Sequence, residues 1–394
     1  MKLDEAIGIY GFGSVSALGM NKTDIWNAYC DDKSYLKKEL SNGEITLMGK
    51  LHDSVIPHLN ALKEEHHSYK KLDPSVLYGI LASRMAFKEA QWDTNDNIGV
   101  NLGSSRGATE SFEKFYQTFL ETGKTPTLTS PLTTLGNIST WVLQDLGITG
   151  PDFSHSITCS TALHSVVNGI AWIKAGFTNQ FLVGGAEASL TPFSIAQMKA
   201  LKIYSHRLDK NYPCLAGDIS KTENTMVLGE GAGAMAIGKL TSERPPFAYI
   251  TGIGVASESL THNISISERA ECLRMTMEIA TRNIDKSKVD AIVMHSPGTI
   301  KGDTSEKFAI EDVFTPHNIP FFTTNKWKIG HTFGASGILS LELALLMLEH
   351  QQLIEVPFIE KQNITKEKKI NNILVNAVGF GGNAVSLLIS KEID

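Results

Sequence analysis

The chain has 394 residues, 42% of them hydrophobic and 20% charged, with a formal net charge of −6. That supports a large core in two or three domains or one two-lobed unit, and a negative balance without any basic stripe or arm excludes nucleic acid as the main partner. The opening "MKLDEAIGIYGFG" lacks the basic start and apolar centre of a signal peptide, and no uninterrupted apolar run approaches the roughly 20 residues that span a bilayer, so a cytoplasmic protein without a membrane partner is expected.

Short strand-like runs alternate with helical ones along the chain. "AIGIYGFG", "NIGVNLGSS", "NQFLVGGAEA", "DAIVMHSPG" and "NILVNAVGF" read as buried strands, with "TALHSVVNGIAWIKAG" and "GILSLELALLMLEH" as helices between them. This alternation predicts an α/β protein with buried sheets. The charged, Pro-Pro break in "TSERPPFAYITGIGVAS" predicts a division into halves, 1–243 and 244–394, and "AYITGIGVAS" faintly echoes the opening "AIGIYGFGSVS". The glycine clusters are turns rather than a nucleotide site. "GIYGFGSVSALG" puts Ser16 where the third glycine of GxGxxG belongs, and no P-loop occurs.

The four cysteines, Cys30, Cys159, Cys214 and Cys272, are scattered without a CxxC pair, so neither a disulfide framework nor a zinc site is expected. Cys159 stands apart. Ahead of it "DFSHSIT" alternates like a strand. After it Ala162, Leu163, Val166, Val167, Ile170 and Ile173 fall at helical spacing. A cysteine on such a turn faces unpaired N–H groups and the helix dipole, which favour a thiolate and an oxyanion. The bland alternative is a small buried residue, as most free cysteines are. A thiol nucleophile needs helpers. His295 ends "DAIVMH", and His331 sits in "NKWKIGHTFGASG" just before an apolar helix. His66 and His67 lie in the charged "KEEHHSYKK" and read as solvated, while His155, Cys159 and His164 make no recognised metal set.

Together these stretches resemble the β-ketoacyl synthases, the condensing enzymes of fatty-acid and polyketide assembly, of the synthase I/II type. The family's cysteine motif is matched by "ITCSTALHS", its HGTGT by "HSPGT", its NKxxxGHxxGAAG by "NKWKIGHTFGASG" and its GFGGxN by "GFGGN". The resemblance covers nearly the whole chain in the expected order. It implies a thiolase-like α/β fold of two pseudo-symmetric halves in five layers αβαβα, normally dimeric. It also implies decarboxylative condensation of an acyl group, held on the cysteine, with malonyl-carrier protein to give a 3-oxoacyl-carrier protein. By this match Cys159 is the acyl-accepting nucleophile, and His295 and His331 are the two active-site histidines. Lys326 is the motif lysine. Phe380 completes the oxyanion hole with Cys159 through its N–H and gates the acyl pocket. No metal or tightly bound cofactor is implied; phosphopantetheine arrives on the acyl carrier protein.

There are departures. Ser296 and Pro297 replace Gly-Thr after the first histidine, and "CLAGDISKTENTMVLGEGAG" replaces the usual Arg-Pro-Phe-Asp run. A glutamate that partners the lysine is Ser340 here, with Glu342 close by, and the Thr of GFGGTN is missing. A coenzyme-A-dependent thiolase or synthase III fits less well, because those enzymes use a second cysteine or a His–Asn pair. A non-catalytic chain-length partner in a heterodimer usually lacks the cysteine kept here. Homodimer and heterodimer both stay open. Lys199, Lys202, Arg207 and Lys210 in "KALKIYSHRLDK" form a candidate docking patch for an acidic carrier protein.

Overall fold

The computed structural model describes residues 5–135, 137–242, 244–259, 266–315, 319–362 and 369–393. The expected division at 243/244 therefore touches a position, 243, outside the described residues. In chain order the elements begin with β1 (Ile7–Val15), α1 (Lys22–Cys30), β2 (Lys37–Ser41), β3 (Glu44–Met48), α2 (Ile56–Glu65), α3 (Pro74–Ala90) and β4 (Ile98–Gly103). They continue with α4 (Thr109–Thr122), α5 (Thr129–Thr133), α6 (Asn137–Leu146), α7 (Thr161–Lys174), β5 (Gln180–Glu187), α8 (Pro192–Ala200) and β6 (Gly231–Gly238). The second half holds β7 (Ala248–Ser257), α9 (Glu271–Ala280), β8 (Ala291–Val293), α10 (Ile300–Phe314), β9 (Phe321–Thr323), α11 (Lys326–Ile329), α12 (Ser336–His350), β10 (Asn372–Val378) and β11 (Asn383–Ser390).

The strand order β4-β5-β6-β1-β7-β11-β10-β8-β9 is nearly a mirror of itself. In the first half β4 runs parallel to β5, and β5–β6 and β6–β1 are antiparallel. In the second, β8 runs parallel to β10, and β10–β11 and β11–β7 are antiparallel. Among the described residues the two halves, each with its own sheet region, join into one nine-stranded sheet where Ile7–Ile9 pair with Ala248–Ile250. The faint sequence echo thus marks the paired first strands of two copies of one unit.

The copies differ at their edges. β9 pairs parallel with β8 over three residues. Its counterpart, the expected strand in "DFSHSIT", is not a regular strand. Beside β4 the chain makes only isolated parallel bridges, Asn97 with Thr149 and Val100 with Asp152. Pro151, which lacks an N–H, interrupts any continuous ladder there.

Helices α3 and α6 cover the outer face of the first sheet, and α9 and α10 that of the second. Between the sheets lie α7 and α12, which touch each other and strands of both halves. Three hydrophobic clusters follow these layers: one around α7 and α12, one under α3, and one under α9 and α10. This is the five-layered thiolase-like α/β fold. Its central layer explains why the helix in "GILSLELALLMLEH" is so apolar. Phe333–His350 is 18 residues long with mean hydropathy 1.3, enough by length and composition to cross a membrane, yet 89% of it is buried inside the protein. A helix apolar on all sides is what a fully enclosed layer requires.

Candidate active site

Cys159 lies one residue before Ser160, the residue that opens α7. Thr158 adopts φ +47°, a left-handed conformation that costs a β-branched residue energy and turns the chain sharply. The loop between β10 and β11 holds this turn in place. Thr158 Oγ1 donates to Phe380 O at 3.5 Å. Gly379 packs so closely that a Cβ there would overlap Thr158 Oγ1 and lie 3.2 Å from the Cys159 nitrogen. The N–H groups of Cys159 and Phe380 find no backbone or side-chain acceptor among the described residues.

Cys159 is 6% exposed, and burial, followed by the charge of Glu187, pushes its pKa up to about 12. Lys326 and Arg106 pull the other way without prevailing. Desolvation of a buried thiolate opposes the helix-terminus effect expected from the sequence.

His295 and His331 meet ring to ring, centroids 5.2 Å apart and planes at 83°. Burial keeps both neutral, holding His331 down to about 3 and His295 well below the ordinary histidine value. His331 Nδ1 accepts the Phe333 N–H at 3.0 Å, which leaves its hydrogen on Nε2. His295 Nδ1 has no hydrogen-bond partner among the described residues. Lys326 is buried behind the pair, and desolvation lowers it to about 8, with Glu306 its chief opposing charge.

One cavity of about 220 Å³ is lined by Cys159, His295, His331 and Phe380, with Met198, Met226 and Val378 among its apolar walls. Lys326 is not a lining residue; Lys301 and Asn224 are. Cys30 is exposed, and Cys214 and Cys272 are buried away from the cavity lining. Lys199 is tied to Glu44 at 3.0 Å and Arg207 to Glu223 at 2.9 Å. Lys202 and Lys210 are exposed without an ion pair among the described residues. Half of the expected basic patch is thus neutralised locally.

Two buried carboxylates escaped the sequence reading. Glu306 on α10 accepts the N–H groups of His295 at 2.9 Å and Ser296 at 2.8 Å, and Asn376 Nδ2 at 3.1 Å. It holds Ser296 at φ +30°, where the family's glycine would be unstrained. Glu187 at the end of β5 accepts Ser105 N–H at 2.8 Å and Gly334 N–H at 2.9 Å, joining the loop after β4 to the one before α12. A signal existed for Glu306: Asp303, Glu306, Ile310 and Val313 share one buried face of α10, so acids occupy core positions. At the position of the family's glutamate, Ser340 Oγ receives the Lys326 ammonium at 3.3 Å, while nearby Glu342 bonds Ser14 and Tyr29.

The sequence and fold both have relatives. The β-ketoacyl synthase N-terminal domain matches residues 4–242 and its C-terminal domain residues 247–358. A 3-oxoacyl-[acyl-carrier-protein] synthase 2 of Coxiella burnetii is 26% identical over 411 residues, covering 98% of both chains. A β-ketoacyl synthase from Burkholderia phymatum superposes with a TM-score of 0.85 at 20% identity over the whole of both chains. A ketosynthase in complex with its chain length factor from Xenorhabdus doucetiae gives 0.80 at 22%, over 98% of each. With both of the family's domains matched in order, this chain belongs to the β-ketoacyl synthase family.

Proposed function

We propose that the protein is a ketosynthase that condenses an acyl group on Cys159 with malonyl-carrier protein, releasing carbon dioxide and a 3-oxoacyl-carrier protein. The observation that carries this is the convergence of Cys159, His295, His331 and Phe380 on one cavity. In the first step the Cys159 sulfur attacks a carrier-bound thioester. Because the free thiol is held protonated, its proton must leave during attack. His331 carries its hydrogen on Nε2 and burial holds His295 neutral as well, so the thiol proton passes within the cavity to the departing pantetheine thiolate and neither imidazole holds a charge. The N–H groups of Cys159 and Phe380 hold the oxyanion; one such donor contributes about 2.7–4 kcal/mol.

In the second step the malonyl carboxylate leaves as carbon dioxide, and charge develops on the thioester oxygen as an enolate. Neutral His331 and His295 donate to that oxygen. Lys326 acts from behind them through its field. The enolate carbon then attacks the Cys159 thioester, and the sulfur leaves as a thiolate that takes one proton from solvent to restore the resting thiol. Phosphopantetheine is part of the substrate, entering past Thr299 and Lys301.

Under this reading the enzyme works in the cytoplasm as a homodimer, or as a heterodimer with a related synthase-like subunit. Its halves divide at 243/244. The retained cysteine and both histidines favour this over a chain-length partner. The test is intact mass after incubation with a panel of acyl-carrier proteins, followed by peptide mapping. An adduct on Cys159 supports the proposal. An adduct on Cys30, Cys214 or Cys272 with Cys159 free would sink it.

A further inference from the structure

The condensation chemistry leaves several buried carboxyls without a task, Asp73, Asp303 and Glu342 among them. Glu342 on α12 is 3% exposed and accepts hydrogen bonds from Ser14 Oγ on β1 and Tyr29 Oη on α1, the latter at 3.1 Å. Tyr29 Oη in turn accepts Asn325 Nδ2 at 3.4 Å. The same amide nitrogen donates to Leu339 O at 2.9 Å, which fixes the amide so that Oδ1 receives Lys326 Nζ at 3.5 Å. Every hydrogen in this series points one way: Lys326 to Asn325, Asn325 to Tyr29, Tyr29 to Glu342. Donors aligned toward one anion polarise each other, and the low dielectric of the core preserves the effect. The two contacts nearest the lysine are long, so the series orients Lys326 rather than clamping it.

The far end of the series is not sealed. Glu342 and Ser14 line a second cavity of about 360 Å³, walled by Phe12, Met85, Leu345 and Leu346, with Lys22 and Glu89 also lining it. Lys22 and Glu89 form a partly exposed ion pair.

We infer that Glu342 is a positioning residue for Lys326, acting through Tyr29 and Asn325, and that the second cavity is its route of proton exchange with solvent. The groups facing Glu342 are Ser14 from β1, Lys22 and Tyr29 from α1, Lys88 and Glu89 from α3, and Glu349 from α12, with Asn325 linking to Lys326. Burial raises Glu342 to about 7, and Lys22 only partly offsets this. Above that pH the series ends on a carboxylate; as pH falls through it, the carboxyl takes a proton and the lysine loses its distant counter-charge.

The kinetic arm of the test rests on the proposed condensation, so a second arm avoids it. Condensation rate against pH is measured for the whole protein with saturating malonyl-carrier protein. Alkylation of Cys159 by iodoacetamide is measured over the same range and needs no acyl substrate. In the wild type kcat falls as pH drops through about 7. Glu342→Gln abolishes that limb and runs about tenfold slower at pH 8, with the carrier KM unchanged. Tyr29→Phe gives the same loss with Glu342 still present. Both slow alkylation about threefold at pH 8, because a less restrained Lys326 cation favours the thiolate less. Ser14→Ala, which removes a donor outside the series, moves the limb to higher pH and keeps the plateau. A Tyr29→Phe variant at the wild-type rate overturns the inference, as does a limb that survives in Glu342→Gln. Equal losses in kcat, KM and melting temperature mark a merely structural Glu342 and overturn it too. If the wild type condenses with no carrier tested, the proposed reaction has failed, and alkylation alone decides the inference.

Discussion

In the N-terminal half the chain leaves the bridged segment beside β4, passes Cys159 and enters α7. In the C-terminal half it leaves β9, passes Lys326 and His331 and enters α12. Both loops reach the same central layer, and each half pins the loop after its parallel strand with a buried carboxylate. Glu187 binds the N–H groups of Ser105 and Arg106; Glu306 binds those of His295 and Ser296. The contents differ. The first loop offers one thiol, and the second offers an imidazole and an ammonium, with the second imidazole, His295, added from the loop after β8. Because the scaffold is duplicated, nucleophile and charge-stabilising groups can diverge without disturbing each other's support. The site then exists only where the halves face one another.

The hardest break of that division of labour is Cys159→Ala. It should abolish acyl-enzyme formation, with a loss above about 10³-fold in condensation, since no other described cysteine lines the cavity. Single-turnover mass spectrometry checks it. His331→Ala comes next and tests whether the second loop serves the second step. Condensation should fall by about 10²–10³-fold, as for one lost electrostatic donor, while self-acylation keeps most of its rate. Equal losses in both steps would end the separation of roles.

Gly379→Ala probes the seam itself. The added methyl must push Thr158 and Cys159 aside, and displacement of about 1 Å can cost about 10²-fold in rate. Acylation should suffer more than melting temperature; an unchanged acylation rate would show that the seam is soft.

A finer difference lies in proton linkage. His331 is held at about 3 and His155 at about 4, both by burial, against 6.5 when unfolded. Depressed values mean that the unfolded chain binds protons that the native one refuses. Their contribution is intact above pH 6.5 and is lost as pH falls toward 4 and then 3, by about 1.4 kcal/mol per pH unit for each group. His155→Gln removes one group from the N-terminal half and His331→Gln one from the C-terminal half. Each should flatten the acid limb of denaturant-measured stability by one proton, without changing the other's share.

The smallest effect concerns the carrier surface. Lys202→Glu with Lys210→Glu should raise the apparent KM for a carrier-bound substrate about twofold to fivefold at low salt. It should leave a pantetheine thioester unaffected. The difference should shrink at 1 M salt, where the screening length is about 3 Å. Arg207 and Lys199 should matter less, since Glu223 and Glu44 already occupy them.

The sequence alone determined the alternation of strands and helices, the all-round apolarity of α12, and the identities of Cys159, His295, Lys326, His331 and Phe380 as candidates. Each is written in a local run of residues, and local runs are what strand and helix periods and short motifs encode. It misplaced the fifth strand of the first half, because pairing at a sheet edge depends on a neighbour far away in the chain. It showed the helix start beside Cys159, which is local, but not the desolvation that opposes a thiolate there, which is not. Glu187 and the series from Glu342 to Lys326 were invisible for the same reason, and Glu306 showed only as an acid at a core position of α10. A lone acid in an apolar stretch takes its meaning from groups dozens to hundreds of residues distant, and only the packed core, by excluding water, decides whether it holds a charge and whom it holds in place.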